Sequence, residues 1–296
     1  MTDSANAQLG DPGWALILPG GGNRGAIQAG ALLALFERGF VPELIVGVSA
    51  GAINGSYLAF HPSLDGVREI VEIWHGLTAR SLFGTRLPSL RRLWALAAGR
   101  AAAFKNDRLE HLLVEHLPSQ HFEDTAIPLV VIATHLETGT ARALASGDLV
   151  NAVLASAALP SILPPVTVDG ELLVDGGIAD PTPIHMATER GFTRVMVVEP
   201  GYSCACPRVF ESAQSIFGQS LAIMARARLD LELEASSRSV EVVHLGLTCD
   251  ADRPISDFSA TRQMIASGRS EAARKLDALF SSRQSGVLSQ IHLLQH

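Results

Sequence analysis

Gly47-Val48-Ser49-Ala50-Gly51 follows the run Val41-Pro42-Glu43-Leu44-Ile45-Val46 and precedes the Ala-rich apolar stretch from Ala50 to Phe60. The first run ends in residues of strand type and the second reads as a helix. A serine on a tight turn between a strand and a helix is the context of a nucleophile elbow, in which backbone strain lifts the hydroxyl out of the sheet. Glycines two before and two after the serine remove side chains that would collide across the turn.

Working outward, Trp14-Ala15-Leu16-Ile17-Leu18-Pro19 reads as a first, buried strand, and Gly20-Gly21-Gly22-Asn23-Arg24-Gly25 follows at once. Residues 26–39 then read as a helix, with Gly39 as the stop signal. Two strands joined by a helix lie parallel with a right-handed crossover, so the glycine loop and the serine turn open at the same carboxyl edge of a sheet. Downstream, Pro128 to Thr134 reads as a strand with Thr140 to Leu144 as a partner across a turn, and Leu149 to Ala158 as a helix. Leu159 to Pro165 is expected to be extended. Val166 to Val174 forms a hairpin turning at Asp169-Gly170 and delivers Asp175-Gly176-Gly177. Thr193 to Glu199 and Val240 to Leu245 are further strands, and residues 209–238 and 256–280 are long helices. With no repeat, linker or composition break, residues 14–296 are expected to form a single domain behind a loose lead-in, 1–13.

The composition narrows the classes. The chain has 296 residues, 47% hydrophobic and 5% aromatic, with a net charge of −7. An acidic balance argues against general binding to nucleic acid through its phosphates. No signal peptide and no run of about 20 apolar residues is evident, so a cytoplasmic protein, or one peripheral at a membrane, is expected. Cys204, Cys206 and Cys249 are too few and too tightly spaced for a zinc pattern and read as free thiols. One segment reverses the charge. From Ile73 to Asn106 there is no acidic residue, and arginines alternate with Leu, Phe and Trp. Residues 77–105 therefore read either as a lid or surface that meets anionic headgroups, or as an ordinary amphipathic helix with its arginines in water.

The glycine loop also has two readings. As G-x-G-x-x-G between strand and helix it fits a dinucleotide fingerprint, but that fold wants an acid at the end of the second strand, where Val48 and Ser49 stand. As an oxyanion hole, consecutive glycines let backbone N–H groups point into the site, helped by the positive end of the following helix. A serine needs a base. His185 and His244 lie late enough to serve in a Ser-His-Asp arrangement, and each also reads as an ordinary structural histidine. Asp175 ends an apolar strand and precedes two glycines, so its carboxylate can face an open site.

The set Gly20 to Gly25, Gly47 to Gly51 and Asp175-Gly176-Gly177, in this order, resembles the patatin-like phospholipase family, and Ala155 to Pro165 resembles that family's segment between serine and aspartate. The likeness runs from about Ala15 to Val198. It implies an α/β three-layer sandwich with a central, mostly parallel sheet flanked by helices. It also implies a Ser49 nucleophile, Asp175 as the proton acceptor in a dyad without histidine, and an oxyanion hole from Gly20, Gly21, Gly22 and Ala50. Asn23, Arg24, Gly25, Gly47, Gly51, Gly176 and Gly177 would support these groups. The implied activity is hydrolysis of fatty-acyl esters of phospholipids, lysophospholipids or related lipids at a membrane or micelle surface, with no metal or organic cofactor. An inactive lipid-binding module on the same scaffold is a further alternative.

Overall fold

The computed structural model describes residues 13–83, 102, 104–201, 213–236, 240–248, 257–284 and 291–293. The three cysteines, residues 1–12 and most of the basic segment 77–105 lie outside them.

The apolar runs become a nine-stranded sheet. Its strands are β1 (Trp14–Leu18), β2 (Leu44–Val48), β3 (Leu129–His135), β4 (Ala141–Leu144), β5 (Val166–Val168), β6 (Glu171–Asp175), β7 (Arg194–Glu199), β8 (Glu241–Gly246) and β9 (Ile291–Leu293). Their order is β5-β6-β3-β2-β1-β7-β8-β9, with β4 also paired to β3. The run β3-β2-β1-β7-β8-β9 is parallel throughout, while β4, β5 and β6 add antiparallel pairs. The sheet is thus mostly parallel, as expected. Glu43 N–H still reaches Trp14 C=O, but β2 begins only at Leu44, later than the run from Val41 suggests. Pro42 has no N–H to give to a ladder.

The helices are α1 (Gly25–Phe36), α2 (Ala50–Phe60), α3 (Leu64–Gly76), α4 (Ala79–Phe83), α5 (Asp107–His116), α6 (Leu149–Ser156), α7 (His185–Thr188), α8 (Ala213–Ser236) and α9 (Thr261–Gln284). They cover both faces of the sheet. Alternate strand residues such as Trp14, Leu16 and Leu18 share one apolar core with α1, α2, α3, α6 and α9. Ala15, Ile17, Val46, Val48 and Ile132 share another with Leu229 and Leu233 of α8 and the segment around α7. Strands buried on both faces read as continuous apolar runs, which is why β1 and β2 are legible without alternation. The result is a three-layer α/β sandwich. Among the described residues no helix is long and apolar enough to cross a membrane.

Two further features bear on the site. Leu159 to Pro165 is not extended but coils into turns, with Ile162 and Leu163 N–H both donating to Leu159 C=O and Ser161 at φ 69°. In addition, α1 and α9 touch backbone to backbone. A Cβ on Gly30 would lie 2.0 Å from Ile265 O, and one on Gly268 would lie 2.1 Å from Ile27 O. The two glycines notch each helix onto the other, so α9 holds α1 at one register.

Candidate active site

Strand β2 runs into Ser49, and α2 begins at the next residue. Ser49 takes φ 52° and ψ −120°, a conformation that costs a non-glycine residue on the order of 1–3 kcal/mol. The surroundings enforce it. A Cβ on Gly51 would meet Leu18 O at 1.9 Å and one on Gly47 would meet Ala52 Cα at 2.6 Å, so the chain can only turn this tightly with glycine at both places. Ser49 C=O accepts from Ala52 N at 2.9 Å and Ile53 N at 3.2 Å, closing the first turn of α2.

Antiparallel pairing of β6 with β3 places Asp175 opposite Ala133. Thr134 Oγ1 donates to Asp175 C=O at 2.8 Å and fixes the strand end. Asp175 as a whole is only 5% exposed. One oxygen, Oδ1, accepts from Gly177 N at 2.8 Å, and the other, Oδ2, accepts from Ser49 Oγ at 2.7 Å. Burial pushes this carboxyl up to about 6, although both hydrogen bonds pull the other way. A serine hydroxyl on a strained turn therefore donates directly to a buried carboxylate whose basicity is raised toward neutrality.

One turn at the end of α6 holds both partners. Ser49 N donates to Ser156 Oγ at 2.8 Å, and that hydroxyl donates to Ile132 C=O at 2.6 Å. Two residues on, Ala158 C=O accepts from Asp175 N at 3.0 Å. The segment Ser156 to Ala158 thus spaces two groups 126 positions apart in the chain. Residue-level reading of the sequence gives Ser156 no role. The family-like block around it was the only signal.

The glycine loop lies over the serine. A Cβ on Gly20 would come 3.1 Å from Ser49 Cβ and 3.8 Å from Ser49 Oγ. Gly21 precedes a short 3-10 turn, Gly22–Arg24, and Gly22 has φ 59°. Arg24 does not project into the site. Its Nε and Nη1 donate to Gly21 C=O at 3.3 Å and Gly201 C=O at 3.0 Å. Asn23 is buried and donates to Asp257 C=O at 2.6 Å. Beneath the loop runs a buried polar chain that the sequence did not announce. Trp74 Nε1 donates to Asn54 Oδ1 at 2.7 Å, and Asn54 Nδ2 donates to Gly25 C=O at 3.0 Å and Gln28 Oε1 at 3.1 Å. Gln28 in turn donates to Pro19 C=O at 2.7 Å and Val198 C=O at 3.1 Å. It ties the loop to the ends of β1 and β7.

Neither candidate histidine is the group that Ser49 faces. His185 presents Nδ1 to Glu232 at 3.3 Å and Nε2 to Asp180 at 3.6 Å. His244 is buried on β8, three strands from β2 and so roughly 14 Å across the sheet, with Nε2 3.5 Å from Glu199. Asp180, His185 and Glu232 lie close enough together to hold a cation. However, the imidazole sits between the two acids with a different nitrogen toward each, the arrangement of a bridging imidazolium rather than of a metal ligand. The carboxylate of Glu232 and the neighbouring Asp180 accordingly hold His185 above its ordinary range.

A serine at a β-turn-α junction, hydrogen-bonded to a carboxylate at the carboxyl edge of a mostly parallel sheet and roofed by a glycine loop, defines a class of α/β proteins built around a serine–aspartate pair. The chain belongs to the patatin-like phospholipase family, whose model matches residues 16–188. It is 34% identical over 173 residues to an uncharacterized NTE family protein of Mycobacterium bovis, covering 58% of this chain and 45% of that one. It is 30% identical over 190 residues to the patatin-like phospholipase domain-containing protein 7 of Mus musculus, covering 63% of this chain and 13% of that one. The chain therefore spans less than half the length of these relatives. Among solved structures, VipD from Legionella pneumophila superimposes with a TM-score of 0.52 at 17% identity, covering 92% of this chain and 67% of that one. That likeness concerns the fold alone.

Proposed function

We propose that this chain is a serine lipid acyl hydrolase that cleaves fatty-acyl esters through a Ser49–Asp175 dyad. The observation that carries this reading is the 2.7 Å hydrogen bond from Ser49 Oγ to Asp175 Oδ2 on a strained turn. Asp175 takes the Ser49 proton as Oγ attacks the ester carbonyl, and returns it to the leaving oxygen as the tetrahedral intermediate collapses to an acyl-serine and a neutral alcohol. Water, deprotonated by Asp175, then attacks the acyl-serine, and Asp175 passes the proton to Ser49 Oγ as the fatty acid leaves. An ordinary aspartate is a poor base at neutral pH. A carboxyl raised to about 6 narrows the gap, and burial keeps competing water away.

The oxyanion would be held by backbone N–H groups of the glycine loop and of Ala50. Ala50 opens α2, so its N–H is among those at a helix start that have no partner within the helix. Each such donor contributes about 3 kcal/mol to transition-state stabilisation. Gly20 supports this reading by lying against Ser49. We take residues 14–296 as one catalytic unit, since β1 pairs with β2 on one side and with β7 on the other. On this reading the protein works in the cytoplasm, peripherally at a lipid surface, on phospholipids, lysophospholipids or related esters.

The test is intact mass after treatment with a fluorophosphonate. The expected result is one adduct on the wild type, none on Ser49→Ala, and strongly slowed labelling of Asp175→Asn. A folded wild type that takes no adduct in buffer or with detergent micelles would overturn the proposal.

A further inference from the structure

Helices α1 and α2 each begin at one half of the proposed oxyanion hole. The glycine loop leads into α1 at Gly25, and Ala50 opens α2 directly after Ser49. The two starts lie against each other: a Cβ on Gly25 would come 3.1 Å from Ala50 Cβ. One turn further in, Gln28 on α1 meets Asn54 on α2. Asn54 Nδ2 donates to Gln28 Oε1 at 3.1 Å and to Gly25 C=O at 3.0 Å. Both amides are buried, and every other residue of α1 is Gly, Ala, Ile, Leu or Phe.

Chemistry fixes the direction of these bonds. The indole N–H of Trp74 can only donate, so at 2.7 Å it holds the oxygen of the Asn54 amide. Both hydrogens of Asn54 Nδ2 are then directed at Gly25 and Gln28. Gln28 in turn directs both hydrogens of Nε2 at Pro19 C=O, 2.7 Å away, and Val198 C=O, 3.1 Å away. The Pro19 bond reaches the loop itself. A trans peptide carries its C=O and N–H on opposite sides, so holding Pro19 C=O sets which way the Gly20 N–H faces, and Gly20 lies against Ser49. Trp74 is wedged in place, stacked on Phe258 with ring centroids 6.2 Å apart and pressed on Gly25, where a Cβ would come 2.4 Å from its ring. The relay runs from α3 through α2 to α1 and the end of β1. Replacing a buried polar pair by apolar groups of the same shape is often neutral or stabilising, so stability alone does not call for two amides here.

We propose that Asn54 and Gln28 are positioning residues that set the spacing and tilt between the two halves of the oxyanion hole, with Trp74 orienting Asn54. They act through the Pro19–Gly20 peptide and through the starts of α1 and α2. The inference rests on the hydrolase reading above and deepens it.

The test uses Gln28→Met and Asn54→Leu, which keep the volume and remove the amides. Titration with a fluorophosphonate first counts the competent serines. Per competent site, kcat on a soluble p-nitrophenyl ester should fall about a hundredfold in each variant, while KM changes less than about threefold. The acid limb of the pH profile should stay at about 6, because Asp175 is untouched. A trifluoromethyl ketone, to whose carbonyl Ser49 Oγ adds as its proton passes to Asp175, should lose affinity in step with kcat/KM. A merely structural role would lower the count of competent sites or the Tm and leave per-site kcat and ketone affinity as in the wild type; that result overturns the proposal. If both variants fail to fold, Trp74→Phe removes the N–H that orients Asn54 and should lower per-site kcat about tenfold, and an unchanged kcat there overturns the proposal equally. The two readings fail separately. Esters cleaved by the variants at the wild-type rate end the positioning role and leave the hydrolase. If the wild type neither cleaves esters nor takes the fluorophosphonate, the hydrolase reading fails and backbone amide resonances decide the rest. Shifts at Gly20 to Gly22 and Ala50 in Asn54→Leu, with those of β8 unmoved, keep the spacing role, and unmoved resonances at both helix starts remove it.

Discussion

Asp175 and Asp180 stand five residues apart, both are almost fully buried, and burial pushes both carboxyls up to about 6. Only their neighbours differ. Asp175 accepts from a serine on a strained turn and from one backbone N–H. Asp180 faces His185, which is shared with Glu232, and Glu232 is in turn paired to Arg228 at 3.1 Å. The first carboxylate is aimed at a group that can react. Among the described residues, the second accepts no hydrogen bond through its buried oxygens, and it lies 3.6 Å from His185, beside Glu232 and Arg228. A raised pKa therefore does not by itself mark the chemistry here. On the proposed reading, what marks it is a titratable group meeting a serine whose backbone is held under strain.

The largest effects should separate the two aspartates outright. Ser49→Ala should abolish ester turnover, and Asp175→Asn should lower kcat by on the order of 10³–10⁴-fold. For the wild type, kcat/KM should fall about tenfold per pH unit below about 6, as Asp175 gains its proton. A flat profile from pH 5 to 8 would remove Asp175 as the base.

Stability should move the other way. The folded-state pKa of Asp175 lies above its ordinary value of 3.8, so folding favours the protonated carboxyl, and stability is lost as pH rises from about 4 through about 6. Asp175→Asn should then stabilise the fold at pH 8 by up to about 3 kcal/mol, with the gain fading toward pH 4. Denaturant unfolding at the two pH values checks this.

A smaller effect is expected at the clamp. Ser156→Ala leaves Ser49 N–H and Ile132 C=O without their shared hydroxyl, a loss of about 1–3 kcal/mol. If that loss falls on the geometry of the dyad, kcat should drop about ten- to a hundredfold with KM little changed. Ser156→Thr, which keeps the hydroxyl, should recover part of it. The smallest effect on turnover, under about threefold, is expected for Glu232→Gln and Asp180→Asn. Both should instead lower the titration midpoint of His185 observed by NMR, Glu232→Gln more strongly because its hydrogen bond is the main cause of the raised value. A loss of activity as deep as that of Asp175→Asn would return the histidine to the chemistry.

Much of this comparison was legible in the sequence, because Ser49 and Asp175 sit in short-range patterns. Glycines two before and two after Ser49, and two after Asp175, advertise turns that other residues cannot make. The parallel order of β1 and β2 followed from one helix between two apolar runs. Ser156, Asn54 and Gln28 were not legible. Each is a polar residue in a largely apolar helix, and its partners are backbone groups or another side chain brought near by tertiary folding. The same holds for Glu232, which meets His185 across 47 positions. The turns at Leu159 to Pro165 were misread as extended, since prolines forbid helix but do not choose among the alternatives.

The notch between Gly30 and Gly268 limits how this protein can change. The family match ends at residue 188, whereas Gly268 and α9 lie beyond it. Yet α9 sets the height of α1, and α1 carries the glycine loop that roofs Ser49. A methyl group at either glycine would have to force the two helices apart by about an ångström or more, and misplacement on that scale can cost two orders of magnitude at a reacting centre. Residues 16–188 joined to a tail without this notch are expected to lose that alignment. A recombination event that swapped the final third would have to bring its own matching glycine.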